Sequence, residues 1–466
     1  MAVAYVSGPS WPVQMLTVAR TGAKCLPASQ ISQCRGLVLH DCHAEILTIR
    51  AFNYWLLNES REVLSSPTGD KTSSYIHHRS KSRSSDDPWP RLEFHPDVKI
   101  YMYCTCAPCG DASMELCMAA QEDPTPWELP PPPSSNNNDN GTSLDTEANT
   151  LLVGRAHFSL LGAVRRKPAR MDAESTRSKS CSDKLAMRQV SSLLSYETSL
   201  LVAPTENVYL AGIVLPEEEI TRVGCERAFG ATGRMKALNG RRWPASSRPD
   251  NDNRDDENDQ KYNYTFRPFQ ILSIPPGQLD RLWPFRKPPP LTPAPTTTTT
   301  PTTNKKSKPS NLSVIWALAS SHTTPVFDHN PKSVPKLRGS TTGLYETIIN
   351  GVKQGNKASN PLARGASALS RARLWTLVRD IIVDHAQGED DNSMRIVLEA
   401  STYDEFKDVC ASQDISGSVV GRGQAISDAR QVLRGWVPNS GDGEWGLDVL
   451  VDPRKRKRES EHNPNK

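Results

Sequence analysis

The chain has 466 residues, a 36% hydrophobic fraction and 37 prolines, with a mean hydropathy of −0.54. That allows two to four average domains, or one large domain with insertions, and it implies unfolded segments. A net charge of +4 leans toward a polyanionic partner, ten irregularly spaced cysteines without a basic, apolar leader argue for reduced thiols in a cytoplasmic or nuclear compartment, and no stretch approaches the ~18 apolar residues of a membrane span.

In chain order, Pro12–Ala19 reads as a strand ending at the turn Thr21-Gly22. His43–Leu57 carries Ile46, Leu47, Ile49, Phe52, Trp55 and Leu56 as a helical stripe. Ser65–Pro90 is Ser-rich and reads as an insertion, with His77-His78 solvated in a polar loop. Val98–Cys106 is β-branched and aromatic, hence a strand, and Asp111–Gln121 reads as a helix. Glu122–Asn149, Pro244–Asn263 and Lys287–Ser310 are further low-complexity stretches, unable to bury enough apolar surface to offset the entropy of ordering. Asn207–Pro216 and Leu312–Ser320 are strands. The alternation argues for an α/β fold. The expected organisation is one domain over residues 1–450, interrupted near 65–90, 122–149, 244–263 and 287–310, with a basic tail at 453–466. In that tail Arg454–Arg458 reads as a nuclear-import signal or a phosphate-binding arm.

The chemistry concentrates in His43-Ala44-Glu45 and Pro108-Cys109-Gly110-Asp111. A neutral His and a Cys thiolate suit Zn²⁺, and a Glu two residues past the His can move protons without binding metal. Zinc deaminases of nucleobases use this H-x-E…P-C pattern. Their usual second Cys would fall at position 112, which is Ala112. Spacing leaves the third ligand open between Cys117 and Cys181; the polar setting Ser180-Cys181-Ser182-Asp183-Lys184 favours Cys181. A structural knuckle of Cys104, Cys106, Cys109 and Cys117 lacks close turn pairs, and Cys42 reads as packing.

Four segments occur in order: Thr21–Cys25, Leu39–Glu45, Ala107–Ala112 and Ser180–Lys184. With Ser192–Ser195, Ser313–Trp316 and Tyr403…Lys407…Gly435-Trp436, they resemble the editase-type adenosine deaminase domain, with its cytidine-deaminase-like core sheet. The resemblance implies His43, Cys109 and Cys181 as zinc ligands and Glu45 as the proton shuttle, so it selects Cys181 over Cys117. It also implies a buried inositol hexakisphosphate held by Arg50, Ser178, Lys184, Tyr403, Lys407 and Trp436, and an RNA contact at Lys24. Ile49 stands where the family pattern has an Arg, Met187-Arg188 replaces Arg-Trp, and His40 replaces a common Asn. The N-terminus is also short against the family pattern, which usually has a helix ahead of the Pro12 strand.

The resemblance begins so near Met1 that double-stranded-RNA-binding domains have no room, and Arg166–Arg170 and Asn350–Gly355 look like the tRNA branch. The implied reaction is adenosine to inosine at nucleotide 37, beside the anticodon of alanine tRNA. The alternatives are an adenosine deaminase acting on messenger or duplex RNA, and a non-catalytic RNA-binding relic.

Overall fold

The computed structural model of the chain describes residues 2–8, 11–21, 24–65, 73–79, 89–119, 152, 154, 160–167, 173–244, 262–278, 310–319, 342–385, 392–411 and 417–450. Most of the four low-complexity stretches and the basic tail lie outside these residues. The first stretch is the exception. Ser73, Tyr75, Ile76 and Trp89 are buried, and Ile76–His78 is a strand. His77 is therefore no solvated loop residue: it pairs with Glu93 across that strand, and its ring lies 4.5 Å from that of His95. Tyr75, Ile76 and Trp89 bring the described parts of this stretch into the core.

The strands are β1 (Ala2–Gly8), β2 (Trp11–Thr21), β3 (Ile76–His78), β4 (Leu92–Phe94), β5 (Lys99–Cys104), β6 (Leu210–Pro216), β7 (Arg242–Trp243), β8 (Tyr264–Thr265), β9 (Gln270–Ile274), β10 (Leu312–Leu318), β11 (Thr342–Ile349) and β12 (Val352–Lys353). The α-helices are α1 (Ala44–Leu64), α2 (Met114–Ala119), α3 (Cys181–Ser191), α4 (Tyr196–Ser199), α5 (Arg222–Phe229), α6 (Arg371–His385), α7 (Asn392–Glu399), α8 (Tyr403–Ala411) and α9 (Gly417–Val432).

Eight strands form one mixed sheet in the order β12-β11-β10-β2-β1-β5-β6-β9. The pairs β5–β6 and β6–β9 are parallel, and the other pairs are antiparallel. The element ahead of β2 is thus a strand, β1, which pairs with both β2 and β5. Helix α1 packs on β1, β2 and β10, and α6 covers it in turn. Being covered on several sides, α1 buries Leu47, Phe52, Trp55 and Leu56 together with the polar Thr48, Asn53 and Glu59. Asn53 reaches Leu193 O at 2.9 Å and receives Ser195 N at 2.7 Å, so its burial is satisfied.

A parallel pair needs a long crossover. Between β5 and β6 that crossover holds Cys109, α2 and α3, which places them at the carboxyl end of β5, where α/β sheets commonly bind ligands. The helix expected over Asp111–Gln121 is shorter. A 3-10 turn, Asp111–Ser113, leads into the six-residue α2. The Asp111 carboxylate is committed to Arg227 of α5 at 2.9 Å and to the amide of Gly162 at 2.8 Å, which pins the turn.

Candidate active site

His43 is the N-cap of α1, with extended backbone, and its amide donates to Asp41 Oδ1 at 2.9 Å. Glu45 follows in the first helical turn and is 8% exposed. The charge of its carboxylate acts on Cys181. After β5 the chain passes through Gly110 at φ 103, a conformation that favours glycine. A side chain there would strike Ser180 Oγ. Glycine therefore lets the Cys109 turn press against the start of α3, where Ser180 caps the helix and Cys181 is its first residue. Ser182 N closes the junction with a 3.0 Å bond to Cys109 O.

These local structures bring three donors together. His43 Nδ1 lies 3.5 Å from Cys181 Sγ and 3.8 Å from Cys109 Sγ. All three donor atoms lie within 4.8 Å of one another. Ordinary zinc bond lengths in a tetrahedron space such ligands by roughly 3.5–3.8 Å, so the set fits that ion. Cys117 is exposed on α2, and among the described residues Cys104, Cys106 and Cys117 join no cluster of possible ligands. Cys42 is buried and its thiol is pushed up to about 12, chiefly by burial. None of the ten cysteines forms a disulfide.

The three donors share protons unevenly. A hydrogen bond from Cys181 holds the Cys109 thiol well below its ordinary range; burial opposes this, while Lys167 and His43 assist. Burial, then the Cys109 thiolate, pushes the Cys181 thiol well above that range. Burial and Lys167 resist charge on His43, but Cys109 and Asp41 prevail and raise its pKa to about 10.

A buried charge network backs the site. Lys167 Nζ lies 3.3 Å from Cys181 Sγ and 2.9 Å from Asp41 Oδ2. Asp41 Oδ2 also accepts from Ser178 Oγ at 2.7 Å and from Lys184 Nζ, and Lys184 lies 2.6 Å from Ser178 Oγ. Burial alone would neutralise Asp41, yet Lys167 and Lys184 hold its carboxyl well below the usual range. Asp41 thus fixes the His43 amide with one oxygen and the cation beside Cys181 with the other.

Behind this network lies a second group of cations. Arg50 Nη1 donates to Leu369 O at 2.7 Å, Arg188 Nη1 to Leu194 O at 2.9 Å and Arg422 Nη2 to the same carbonyl at 3.0 Å. Burial, then Arg422 and Arg50, press the Arg188 pKa down to about 9. Arg422 is 3% exposed, and its Nε and Nη1 have no partner among the described residues. Tyr403 is buried here with its hydroxyl 3.0 Å from Glu197. Orphaned guanidinium nitrogens amid mutually repelling cations fit a polyanion such as inositol hexakisphosphate. Lys407 pairs with Asp404 on its own helix and its Nζ lies 5.4 Å from the Tyr403 ring centre, whereas Trp436 packs beside Lys179, 5.4 Å from ring centre to Nζ. Lys24 is exposed just before Cys25. His40 pairs with Asp442 at 2.8 Å.

Residues 19–266 match the model of the adenosine-deaminase (editase) domain. The chain belongs to that family. The domain makes it a deaminase enzyme. The chain is 29% identical over 430 residues to tRNA-specific adenosine deaminase 1 of Schizosaccharomyces pombe, a match covering 91% of this chain and 82% of that protein. Against the Saccharomyces cerevisiae protein of the same name, identity is 36% over 221 residues, covering 47% of this chain and 50% of that one. A shorter match, 34% over 95 residues, links it to double-stranded RNA-specific editase B2 of Mus musculus, covering 20% of this chain and 12% of that one.

Sequence reasoning missed Asp41, Lys167, Arg188 and Arg422 as parts of this editase site. Asp41 and Lys167 had a signal, since both sit inside quoted motifs. Arg422 had none: it lies in α9, which carries no motif, and only the fold brings it to Arg188.

Proposed function

We propose that this chain catalyses zinc-dependent hydrolytic deamination of adenosine to inosine in tRNA, at nucleotide 37 beside the anticodon of alanine tRNA. The observation that carries the reaction is the convergence of His43 Nδ1, Cys109 Sγ and Cys181 Sγ within 4.8 Å, with Glu45 in the first turn of the helix that His43 caps. The names of the two yeast relatives support the tRNA substrate. The parallel β5–β6–β9 strands with the site at their carboxyl end support a cytidine-deaminase-like core.

Zn²⁺ held by these three residues would supply the Lewis acidity that makes water nucleophilic near neutral pH. Glu45 takes a proton from the attacking water as its oxygen bonds to C6 of the flipped base, and gives it to the ring nitrogen N1. It then carries the proton of the new C6 hydroxyl to the amino nitrogen as the C6–N6 bond breaks, so that ammonia leaves and C6 keeps a carbonyl oxygen. Lys167 and Asp41 are positioning residues: they fix Cys181 and the His43 backbone. Buried inositol hexakisphosphate, held by Arg50, Lys184, Arg188 and Arg422, would neutralise the second cation group.

The test combines product and metal. Incubated with alanine tRNA and with duplex RNA, the protein is expected to yield inosine at nucleotide 37 of the tRNA by mass spectrometry; inosine in the duplex alone overturns the tRNA reading. It is also expected to carry about one zinc ion, lost in Cys181→Ala and kept in Cys117→Ala. The reverse pattern would sink the ligand assignment. Loading zinc is expected to release protons, because thiol and imidazolium groups must shed them before they can bind the ion.

The tail Pro453–Lys466 lies outside the described residues. Its Arg454–Arg458 run supports nuclear import. Deleting the tail is expected to lower the nuclear fraction of a tagged protein with zinc content unchanged; an unaltered nuclear fraction rules the import role out.

A further inference from the structure

Strands β5 and β6 run parallel with Tyr103 opposite Val214, so the segments that follow them leave the sheet side by side. After β5 comes the stretch Thr105–Ala112, which carries Cys109. After β6 comes a 3-10 turn, Glu217–Glu219, and then α5. The second segment grips the first. Arg227 Nη2 donates to Asp111 O at 2.7 Å, and Thr221 Oγ1 donates to Ala112 O at 3.0 Å. A side chain at Gly224 would strike Ala112 O, so α5 is pressed against the turn. These contacts hold the chain downstream of Cys109.

Upstream, Ala107 N donates to Glu219 Oε2 at 3.0 Å, and Glu219 is half-buried. The residue between Ala107 and the ligand is Pro108. A proline has no amide hydrogen, and its ring fixes φ. Ala107 N is therefore the nearest backbone donor ahead of Cys109, and the group that holds it sets the direction in which the rigid Pro108 delivers Cys109. The carbonyls of this turn are fixed from elsewhere. Pro108 O accepts from Ser113 Oγ at 2.9 Å and from Ser182 Oγ at 3.1 Å, and Cys109 O accepts from Ser182 N. Glu219 adds a tie of another kind, from the turn to the end of the neighbouring parallel strand.

We propose that Glu219 is a positioning residue for the metal site. It acts through the Ala107 amide to hold Cys109 Sγ where it meets His43 and Cys181. This inference rests on the zinc reading of the preceding subsection and adds a residue two bonds of the network away from the ion. The geometry uses the reach of the Glu219 oxygen rather than its charge.

The experiment measures zinc affinity, by competition with a chelator, in the full chain and in Glu219→Gln, Glu219→Asp and Glu217→Ala. Gln keeps an acceptor oxygen at the same reach and drops the charge. Asp keeps the charge and withdraws the oxygen. The expected result is parent-like affinity in Glu219→Gln and a loss of about 10-fold or more in Glu219→Asp, the usual worth of a group that orients a ligand. The cobalt-substituted Asp variant should show a shifted thiolate-to-metal absorption band, and its zinc form a lower kcat at unchanged KM for alanine tRNA. Glu217→Ala, exposed two residues earlier in the same turn, should match the parent. Parent-like affinity and cobalt spectrum in Glu219→Asp overturn the proposal. So does an equal loss in Glu219→Gln, which would make charge the operative property, and so does a loss in Glu217→Ala. Amide hydrogen exchange over residues 105–110 of the chain as purified reads the tie without reference to metal. Faster exchange in Glu219→Asp is expected, and an unchanged rate overturns the proposal. A parent protein that binds no zinc defeats the proposed function instead, and the exchange still judges Glu219.

Discussion

Glu45→Ala is expected to keep zinc and bind RNA while losing turnover by ~10²–10⁴-fold or more, the usual worth of positioned acid–base help. Three facts set that expectation. Glu45 shares the first turn of α1 with the N-cap His43, so it sits at the ligand set without belonging to it. It is 8% exposed, which limits replacement by bulk water. Its charge acts on Cys181, one of the three donors. Single-turnover assays on tRNA, with zinc measured on the same samples, check this. An Ala variant that turns over at the parent rate removes Glu45 from the mechanism, and one that loses zinc makes it structural.

Protein made in cells lacking inositol hexakisphosphate is expected to be insoluble or inactive. Arg50, Arg188 and Arg422 are held together in the interior with backbone carbonyls as their hydrogen-bond partners, and Arg188 is pressed down to about 9 by burial and its neighbours. Removing the partner of a buried charge typically costs about 3–5 kcal/mol, a large share of the ~5–15 kcal/mol that stabilises a folded protein. A polyphosphate that binds only the native state at a thousand times its dissociation constant returns about 4 kcal/mol. Phosphorus analysis and solubility of protein from deficient and normal cells decide the matter. Soluble, fully active, phosphorus-free protein shows that these cations need no ligand.

The sequence made the centre of the site legible because metal chemistry restricts residue choice. Few residues besides His, Cys and a nearby Glu perform that work, so H-A-E, P-C-G-D and S-C-S-D-K stand out. Strands β2, β5, β6 and β10 were legible from their β-branched and aromatic runs. The cation network was less so, because Lys and Arg are ordinary surface residues in a sequence and only burial makes them unusual. Met187-Arg188 shows the limit. The Arg displaced by one position is nevertheless half-buried beside Arg422 and Arg50, which spacing cannot reveal. Tyr75, Ile76 and Trp89 show another: composition averaged over Ser65–Pro90 hides three core residues.

The ligand set also bears on the order in which the chain acquires its structure. His43 meets Cys109 across 66 residues and Cys181 across 138, and Asp41 meets Lys167 across 126. Contacts this distant in sequence form only after loop-closure entropy has been overcome, so they come late and slow the search. The parallel β5–β6 pair encloses the same loop and is subject to the same delay. A nascent chain would therefore show α1 and the β1–β2 hairpin, both built from local contacts, well before it could hold a metal ion. Zinc captured late would act as a clip across the longest crossover, converting a slowly closing loop into a persistent one.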